Sequence, residues 1–281
     1  MSRLSESFTI GGLDIAALSD GAPDRELSGF FHEVDPDEWT QAVGITSPED
    51  PVPFNFGSFL IRGDGHLVLV DTGYGPPARE MDIPGGAELP DRIRELGVSP
   101  DDIDIVIHTH LHMDHTGWNI DDDRNDALTF PNATFYVARA ELEYWTGPAS
   151  DDNPMAEGAR HRINPVVAAG QVETTDGEHA VSDHVTLIPT PGHTPGHVSV
   201  MVASQGEHLV LLGDAAHHPV HLERHDWVPG VDLDKAETSR SRTKLARLAV
   251  ERDAIVSGGH FPILSLGKVR EVEGGYRWEA L

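Results

Sequence analysis

The feature that most constrains this chain is a cluster of metal-binding residue types directly after a short apolar segment. Residues 103–107 (IDIVI) are rich in β-branched side chains and predict a buried strand. Residues 108–117 (HTHLHMDHTG) follow at once, and a polar run of this kind cannot lie in a core without partners. Imidazole and carboxylate are ligands that a divalent ion such as zinc accepts, so the segment predicts a metal site.

The spacing within this cluster suits two ions better than one. His110 and His112 alternate as in an extended segment, so both side chains can point to the same side. Asp114 and His115 come one turn later and can face a second point nearby. The ordinary alternative for any one of these residues is a polar loop or a core histidine with satisfied hydrogen bonds. The matching pieces elsewhere in the chain favour the metal site for the set as a whole.

Three later segments repeat the order of strand, turn and ligand. The apolar run 185–188 leads into the turn 190–197 (TPGHTPGH), which contains His193. The run 209–212 leads into Asp214, and the run 254–256 leads through two glycines into His260.

These motifs, in this order, resemble those of the metallo-β-lactamase superfamily. The resemblance covers residues 70–260 and implies an α/β fold: an αββα sandwich of two mixed sheets flanked by helices, with two metal ions at one edge. Carried over by position, it implies that one metal is held by His110, His112 and His193. It implies that the other is held by Asp114, His115 and His260, and that Asp214 bridges the two. It also implies that Asp71, after the strand 66–70, steadies the metal loop.

A site of this kind implies a zinc-dependent hydrolase. Two ions about 3.5–4 Å apart can share a hydroxide and activate it at neutral pH, and Asp114 can orient this nucleophile or move its proton.

Segments 111–119 and 190–197 resemble those of N-acyl homoserine lactonases and of methyl parathion hydrolase. The lactonases usually carry Tyr at the position of His217 in this chain. Methyl parathion hydrolase carries His there, as this chain does. We therefore expect hydrolysis of a lactone or related ester, with Asp114 and His217 as catalytic residues, and we keep a phosphotriesterase-like activity as the alternative. A glyoxalase II-like thioesterase and a nuclease are less favoured.

Composition limits the partners of this chain. Its 281 residues suffice for one domain, which we expect to span residues 1–281 because both halves supply ligands. A formal net charge of −27 repels phosphate backbones, which argues against nucleic acid and suggests a salt-adapted source. There is no cysteine and no long apolar stretch, and residues 1–6 lack a signal-peptide pattern. We expect a cytoplasmic protein that acts on a small molecule and does not bind membranes, with a homodimer left open.

Local patterns predict the remaining elements. Hairpins are expected at 8–18 and, across the turn 63–65, at 58–70. Helices are expected at 87–97, 139–145 and 236–252, with a short one starting at Pro36. Residues 147–165 are predicted to form a loop or broken helix. Residues 21–56 are rich in Pro, Gly and aromatic residues, and we expect them to form a flap near the site. His108 is expected to be structural and His197 to support the site. Five other histidines are expected at the surface: His66, His161, His179, His184 and His208.

Overall fold

The computed structural model describes residues 5–63, 65–262 and 265–281. Residues 1–4, which make up most of the segment used for the signal-peptide prediction, lie outside these ranges. Residue 64, in the turn of the second hairpin, also lies outside them. The described strands are β1 (Ser5–Ile10), β2 (Leu13–Ser19), β3 (Asp24–Arg25), β4 (Val52–Pro53), β5 (Gly57–Gly63), β6 (His66–Val70), β7 (Ile105–Ile107), β8 (Ile120–Asp121), β9 (Ala127–Leu128), β10 (Thr134–Ala138), β11 (Val172–Thr175), β12 (His179–Ala180), β13 (Val185–Pro189), β14 (Val198–Ser204), β15 (Glu207–Leu211), β16 (Ile255–Ser257), β17 (Gly267–Val272) and β18 (Gly275–Ala280). The α-helices are α1 (Pro36–Val43), α2 (Pro77–Glu80), α3 (Leu89–Glu95), α4 (Met113–Thr116), α5 (Arg139–Thr146), α6 (Ala156–Ala168) and α7 (Lys235–Glu251).

The strands form two large mixed sheets. The first has the order β1-β2-β5-β6-β7-β10-β11, and the second has the order β12 to β18. In the first sheet β6, β7, β10 and β11 are parallel to one another, and in the second only β15 and β16 form a parallel pair among the described strands. The chain crosses from one sheet to the other between Thr175 and His179. The prediction of two mixed sheets is confirmed.

The sheets pack face to face, with helices on the outer surfaces. Strand β7 is apolar on both of its faces, as this packing requires. Ile105 and Ile107 point into the layer between the sheets, whereas Val106 points into the core on the other face. Each such buried side chain contributes about 1.5–3 kcal/mol to folding. On the outside of the second sheet, Leu245 and Ala249 of α7 pack against its strands. The layers are therefore helix, sheet, sheet and helix, as the resemblance implies.

Most of the predicted elements are present. Both hairpins form, with Ile10 opposite Leu13 and Gly63 opposite His66. Helix α3 is shorter than its predicted range because it begins with Pro90 in its first turn and stops before Gly97, whose φ of +75° suits glycine. No helix in the described residues is long and apolar enough to cross a membrane.

The prediction of a loop or broken helix at 147–165 is wrong for residues 156–165. Helix α6 runs without a break from Ala156 to Ala168, with Pro165 inside it. The proline removes one backbone hydrogen bond, but Ala159, Ile163 and Val166 form a fully buried stripe that holds the helix on the first sheet's core. Tertiary packing thus overrides the local signal of a helix breaker.

Candidate metal centre

Five strands end at one rim of the sandwich, and each leads into residues that the sequence singles out. In the first sheet, β6 runs into Asp71 and β7 runs into the loop 108–117. In the second sheet, the turns after β13, β15 and β16 carry His193, Asp214 and His260. The seven predicted ligands lie together there, although they come from opposite halves of the chain.

The first group of donor atoms combines three histidines with one oxygen of Asp214. His112 Nδ1 lies 3.0 Å from both His110 Nε2 and His193 Nε2. Asp214 Oδ2 lies 3.3 Å from His193 Nε2 and 3.7 Å from His110 Nε2. All four side chains are buried. These separations match a tetrahedron around zinc, whose edges are about 3.3 Å for metal–nitrogen bonds of about 2.0 Å.

The second group lies on the other side of the same carboxylate. His115 Nε2 and His260 Nε2 are 3.2 Å apart, and Asp114 Oδ2 lies 3.4 Å from His260 Nε2. Asp214 Oδ1 lies 3.2 Å from His115 Nε2, and its Oδ2 lies 3.2 Å from His260 Nε2. The Asp214 carboxylate therefore faces both groups, a position suited to bridging two ions.

A buried polar atom without a partner indicates that these groups are built for cations. Asp214 Oδ1 is buried and forms no hydrogen bond with any described residue. A buried carboxylate oxygen without a donor is costly unless a positive charge lies beside it. The donor set of imidazoles and carboxylates, with no thiolate available in the sequence, fits two divalent ions.

Hydrogen bonds on the far side of the imidazoles decide which nitrogen faces the centre. His193 Nδ1 donates to Asp232 Oδ1 at 2.8 Å, and His260 Nδ1 donates to the backbone oxygen of Asn55 at 2.7 Å. A proton on Nδ1 leaves the Nε2 lone pair free for a metal. Asp232 and Asn55 were missed in the sequence because neither lies in a recognisable motif.

Asp71 orients the histidines of the loop 108–117 through hydrogen bonds, in agreement with the role expected for it. Its Oδ1 accepts the backbone N–H of Thr109, and its Oδ2 accepts the Thr109 hydroxyl and His115 Nδ1, all at 2.8 Å. Because the Thr109 hydroxyl gives its proton to Asp71, it can accept one from His110 Nδ1 at 3.1 Å. One carboxylate thereby orients two of the predicted metal ligands.

Burial and neighbouring charges shift the pKa values of these histidines in opposite directions. Burial holds the pKa of His110 and of His112 well below the ordinary value, so both are neutral, the form that binds a metal. Burial also lowers the pKa of His115, but the carboxylates of Asp214 and Asp71 outweigh it and raise the pKa well above the ordinary value. The surroundings of His115 therefore favour positive charge, which a bound ion would supply.

Glu141 is a buried carboxylate that sequence reasoning missed. Its Oε1 accepts the backbone N–H of Leu111 at 3.0 Å and the indole N–H of Trp145 at 2.6 Å. Its Oε2 accepts the backbone N–H of Gly196 at 2.9 Å. Glu141 thus ties the histidine loop of the first sheet to that of the second. A lone glutamate on a helix carries no local signal of such a role.

His197 supports Asp214, as expected. Its Nε2 accepts the backbone N–H of Asp214 at 2.9 Å, and its Nδ1 donates to the backbone oxygen of Thr190 at 3.1 Å. Gly213 makes this contact possible, because a Cβ there would lie 2.6 Å from His197 Nε2. His108 is buried against Asn119, which fits the expected structural role.

The structure brings His217 to the site as well. Its Nε2 lies 3.1 Å from Asp214 Oδ2, and its ring is parallel to that of His260 at 5.4 Å. Its backbone N–H donates to His221 Nδ1, whose Nε2 donates to the backbone oxygen of Phe30, each at 3.1 Å. Burial lowers the pKa of His217, so the ring is neutral at neutral pH. His217 with Asp214 and His260 is also close enough to hold an ion, so its role remains a prediction.

Both groups lie at the floor of a cavity of about 1030 Å³. Its walls are largely apolar: Phe30, Phe54, Phe56, Met113, Met155 and Val231. Three of these belong to residues 21–56, so the predicted flap segment does lie beside the site; whether it moves remains a prediction. His161 was expected at the surface, and its exposed ring also lines this cavity, because helix α6 forms one wall.

The chain is similar to known proteins over most of its length. The family model described as the metallo-beta-lactamase superfamily matches residues 58–260. The N-acyl homoserine lactonase AttM of Agrobacterium fabrum is 34% identical over 189 residues, which is 61% of this chain and 63% of the relative. The N-acyl homoserine lactonase of Bacillus cereus is 29% identical over 218 residues, covering 72% of this chain and 79% of that protein. The match to AttM thus spans less than two thirds of that protein's length.

Solved structures share the fold. The dizinc quorum-quenching lactonase AidC, in complex with a product, superposes with a TM-score of 0.85 at 22% identity, covering 98% of this chain and 97% of that one. The hydrolase AbOPH superposes with a TM-score of 0.84 at 23% identity, covering 100% and 98%.

Proposed function

The chain belongs to the metallo-β-lactamase superfamily, and from this premise we propose that it is a dinuclear metal-dependent hydrolase that opens lactones or related esters. The observation that carries the proposal is the position of Asp214, whose carboxylate faces both groups of preoriented histidines at the floor of an open cavity. In a purely structural metal site protein ligands fill every coordination position, whereas these groups line a cavity that a substrate can enter.

Zinc is the ion we propose for both positions. Five imidazoles and two carboxylates, with no thiolate, suit zinc, and the separations of 3.0–3.7 Å in the first group suit its tetrahedral geometry. When bound, two such ions would lower the pKa of a water molecule and polarise the carbonyl of an ester.

The protein's own residues supply the remaining chemistry. Asp114 is the more exposed carboxylate of the site, with 24% of its side chain accessible, and it lines the cavity, so it can accept a proton from the nucleophile. Neutral His217 lines the same cavity and can donate a hydrogen bond to a carbonyl oxygen or form a steric wall. The phenylalanine rings exclude water and bind the apolar part of the substrate.

A neutral, acylated lactone is the substrate class that these features favour. The apolar walls of the cavity suit an acyl chain, and a protein with a net charge of −27 repels polyanions. The relatives AttM and the Bacillus cereus protein are named N-acyl homoserine lactonases, which supports the same class.

His217 favours one second candidate, a phosphotriesterase-like activity. This position carries Tyr in the lactonases that the motifs resemble and His in methyl parathion hydrolase. The His217 ring lies beside the bridging carboxylate, where it would meet the reacting group of either substrate. A neutral phosphotriester would not be repelled by the acidic surface.

The test is a hydrolysis panel on zinc-loaded protein: N-acyl homoserine lactones, aryl esters, phosphotriesters and thioesters. We expect the highest kcat/KM on the lactones and loss of activity on chelation. Highest turnover of a phosphotriester would favour the second candidate, and no turnover of any substrate would contradict the proposal. Light scattering of the same sample would decide whether the chain is a homodimer, which stays a prediction.

A further inference from the structure

We propose that Arg25 is a specificity-determining residue: it binds the amide carbonyl of an N-acylated lactone and so selects this class over lactones without an amide. This inference rests on the proposed function and goes beyond it by assigning the polar part of the substrate to a residue outside the metal centre.

Arg25 is held at the cavity by a short two-stranded ribbon. Strand β3 places Arg25 opposite Val52 of β4, and the backbone N–H of Phe54 donates to the oxygen of Pro23 at 2.9 Å. The side chain lines the cavity that contains the metal-binding groups. A residue on a paired strand keeps its direction better than one on an unpaired loop.

The guanidinium group lies against the aromatic wall. Its Cζ is 5.5 Å from the ring centroid of Phe54 and 5.7 Å from that of Phe56. Phe54 in turn stacks on His260 with centroids 4.2 Å apart. One aromatic ring therefore separates Arg25 from a predicted metal ligand. A guanidinium packed on ring faces directs its N–H groups outward, where they can bind an acceptor.

Arg25 has no acidic partner among the described residues, although the chain has 47 acidic side chains. The other arginine of the cavity, Arg160, is occupied: it donates to Asp151 and to the backbone oxygens of Trp145 and Gly147. Arg25 is thus the cavity cation that is free to bind substrate within the part of the chain that the structure describes.

The position of Arg25 selects the kind of group it binds. A substrate whose ester carbonyl reacts at the metal centre presents its next polar group a few bonds away, beside the aromatic wall. In an N-acylated lactone this group is a neutral amide carbonyl, an acceptor without charge or bulk. Arg25 is exposed to solvent, and a polar side chain beside a largely apolar wall can fix the orientation of a substrate in this way.

The test compares two substrates on two variants. N-Decanoyl homoserine lactone carries the amide, and a γ-alkyl lactone of similar length does not. We expect Arg25→Met to lower kcat/KM at least 10-fold on the first, mainly through KM, and less than 3-fold on the second. Arg25→Lys keeps the charge but not the planar fork, so it should recover part of the loss. Arg277→Met, an exposed arginine on β18, is the matched control and should behave as wild type.

Metal content and melting temperature of each variant show that it is folded and loaded. An equal loss on both lactones, or no loss on either, would overturn the role of Arg25 while leaving the lactonase proposal intact. Wild-type protein without activity on either lactone would instead overturn the proposed function, and the role of Arg25 with it.

Discussion

Glu141 and the backbone N–H of Gly196 lie 2.9 Å apart, and this contact joins the two histidine loops of the metal centre. The same carboxylate also binds the N–H of Leu111, between His110 and His112. One buried side chain therefore holds the loops that carry candidate ligands from both sheets. Burial raises the pKa of the Glu141 carboxyl group above the ordinary value. The hydrogen bonds that this group accepts partly oppose the rise.

We expect Glu141→Gln to weaken metal binding about 10–100-fold, because an amide cannot accept all three N–H groups and one loop must shift. Stability should fall by about 1–3 kcal/mol. Competition with a chelator and urea unfolding measure these effects. Glu143→Gln, an exposed neighbour on the same helix, should match wild type. Unchanged metal affinity in Glu141→Gln would show that the two loops hold their positions without this bridge.

Metal content tests the two-ion site. The wild-type chain should bind two zinc ions, and His260→Ala should retain about one, because the group formed by His110, His112, His193 and Asp214 is complete without it. Most of the activity should be lost while the fold persists. His66→Ala, an exposed histidine, serves as the control. Two tightly bound ions and full turnover in His260→Ala would mean that another histidine takes this position.

His217 should decide between lactones and phosphotriesters. A tyrosine hydroxyl at this position can donate to a substrate carbonyl at any neutral pH, so His217→Tyr should raise lactone hydrolysis relative to phosphotriester hydrolysis. His217→Ala should lower both rates without loss of metal. Elemental analysis and kcat/KM on both substrates give the answer. Loss of an ion in His217→Ala would assign His217 to the ligand set instead.

Acid should destabilise the protein between about pH 6.5 and pH 4, in part through His218. Burial lowers the pKa of His218 to about 4, whereas an unfolded histidine titrates near about 6.5. In this window the unfolded chain binds a proton that the folded chain does not, so the free energy of unfolding falls as the pH falls, by up to about 1.4 kcal/mol per pH unit for this residue.

His218→Asn should reduce this loss. Asparagine keeps an acceptor for the backbone N–H of Val220, which His218 Nδ1 now accepts, but it does not titrate. Urea unfolding of both proteins at several pH values between 7 and 4 measures the difference. Parallel pH profiles for the two proteins would contradict the assignment.

Salt should stabilise the fold. A net charge of −27 produces self-repulsion that is strongest at low ionic strength, and the screening length falls to about 10 Å at 0.1 M salt. The melting temperature should therefore rise with KCl. We propose on the same ground that the source is salt-adapted, and a flat response from low to molar KCl would count against it.

The positions of the candidate ligands and the class of fold are encoded locally. His110, His112, Asp114 and His115 follow a β-branched strand, and His193, Asp214 and His260 each follow another, so strand periodicity and turn residues predict where each ligand lies. The order of these motifs implied the two mixed sheets, which the structure confirms. This succeeds because a strand end and the turn after it depend on neighbouring residues.

Only the tertiary structure decided which groups surround these ligands. Asp232, Asn55 and Glu141 contact the histidine loops across sequence separations of 39, 205 and 55 residues, and no local pattern marks them. The cavity walls come from residues 21–56 and from α6, most of which lies in the stretch predicted to be a loop or broken helix. Such contacts depend on how two sheets pack against each other. The packing energy is shared among many buried side chains, so it is not expressed in any single stretch of sequence.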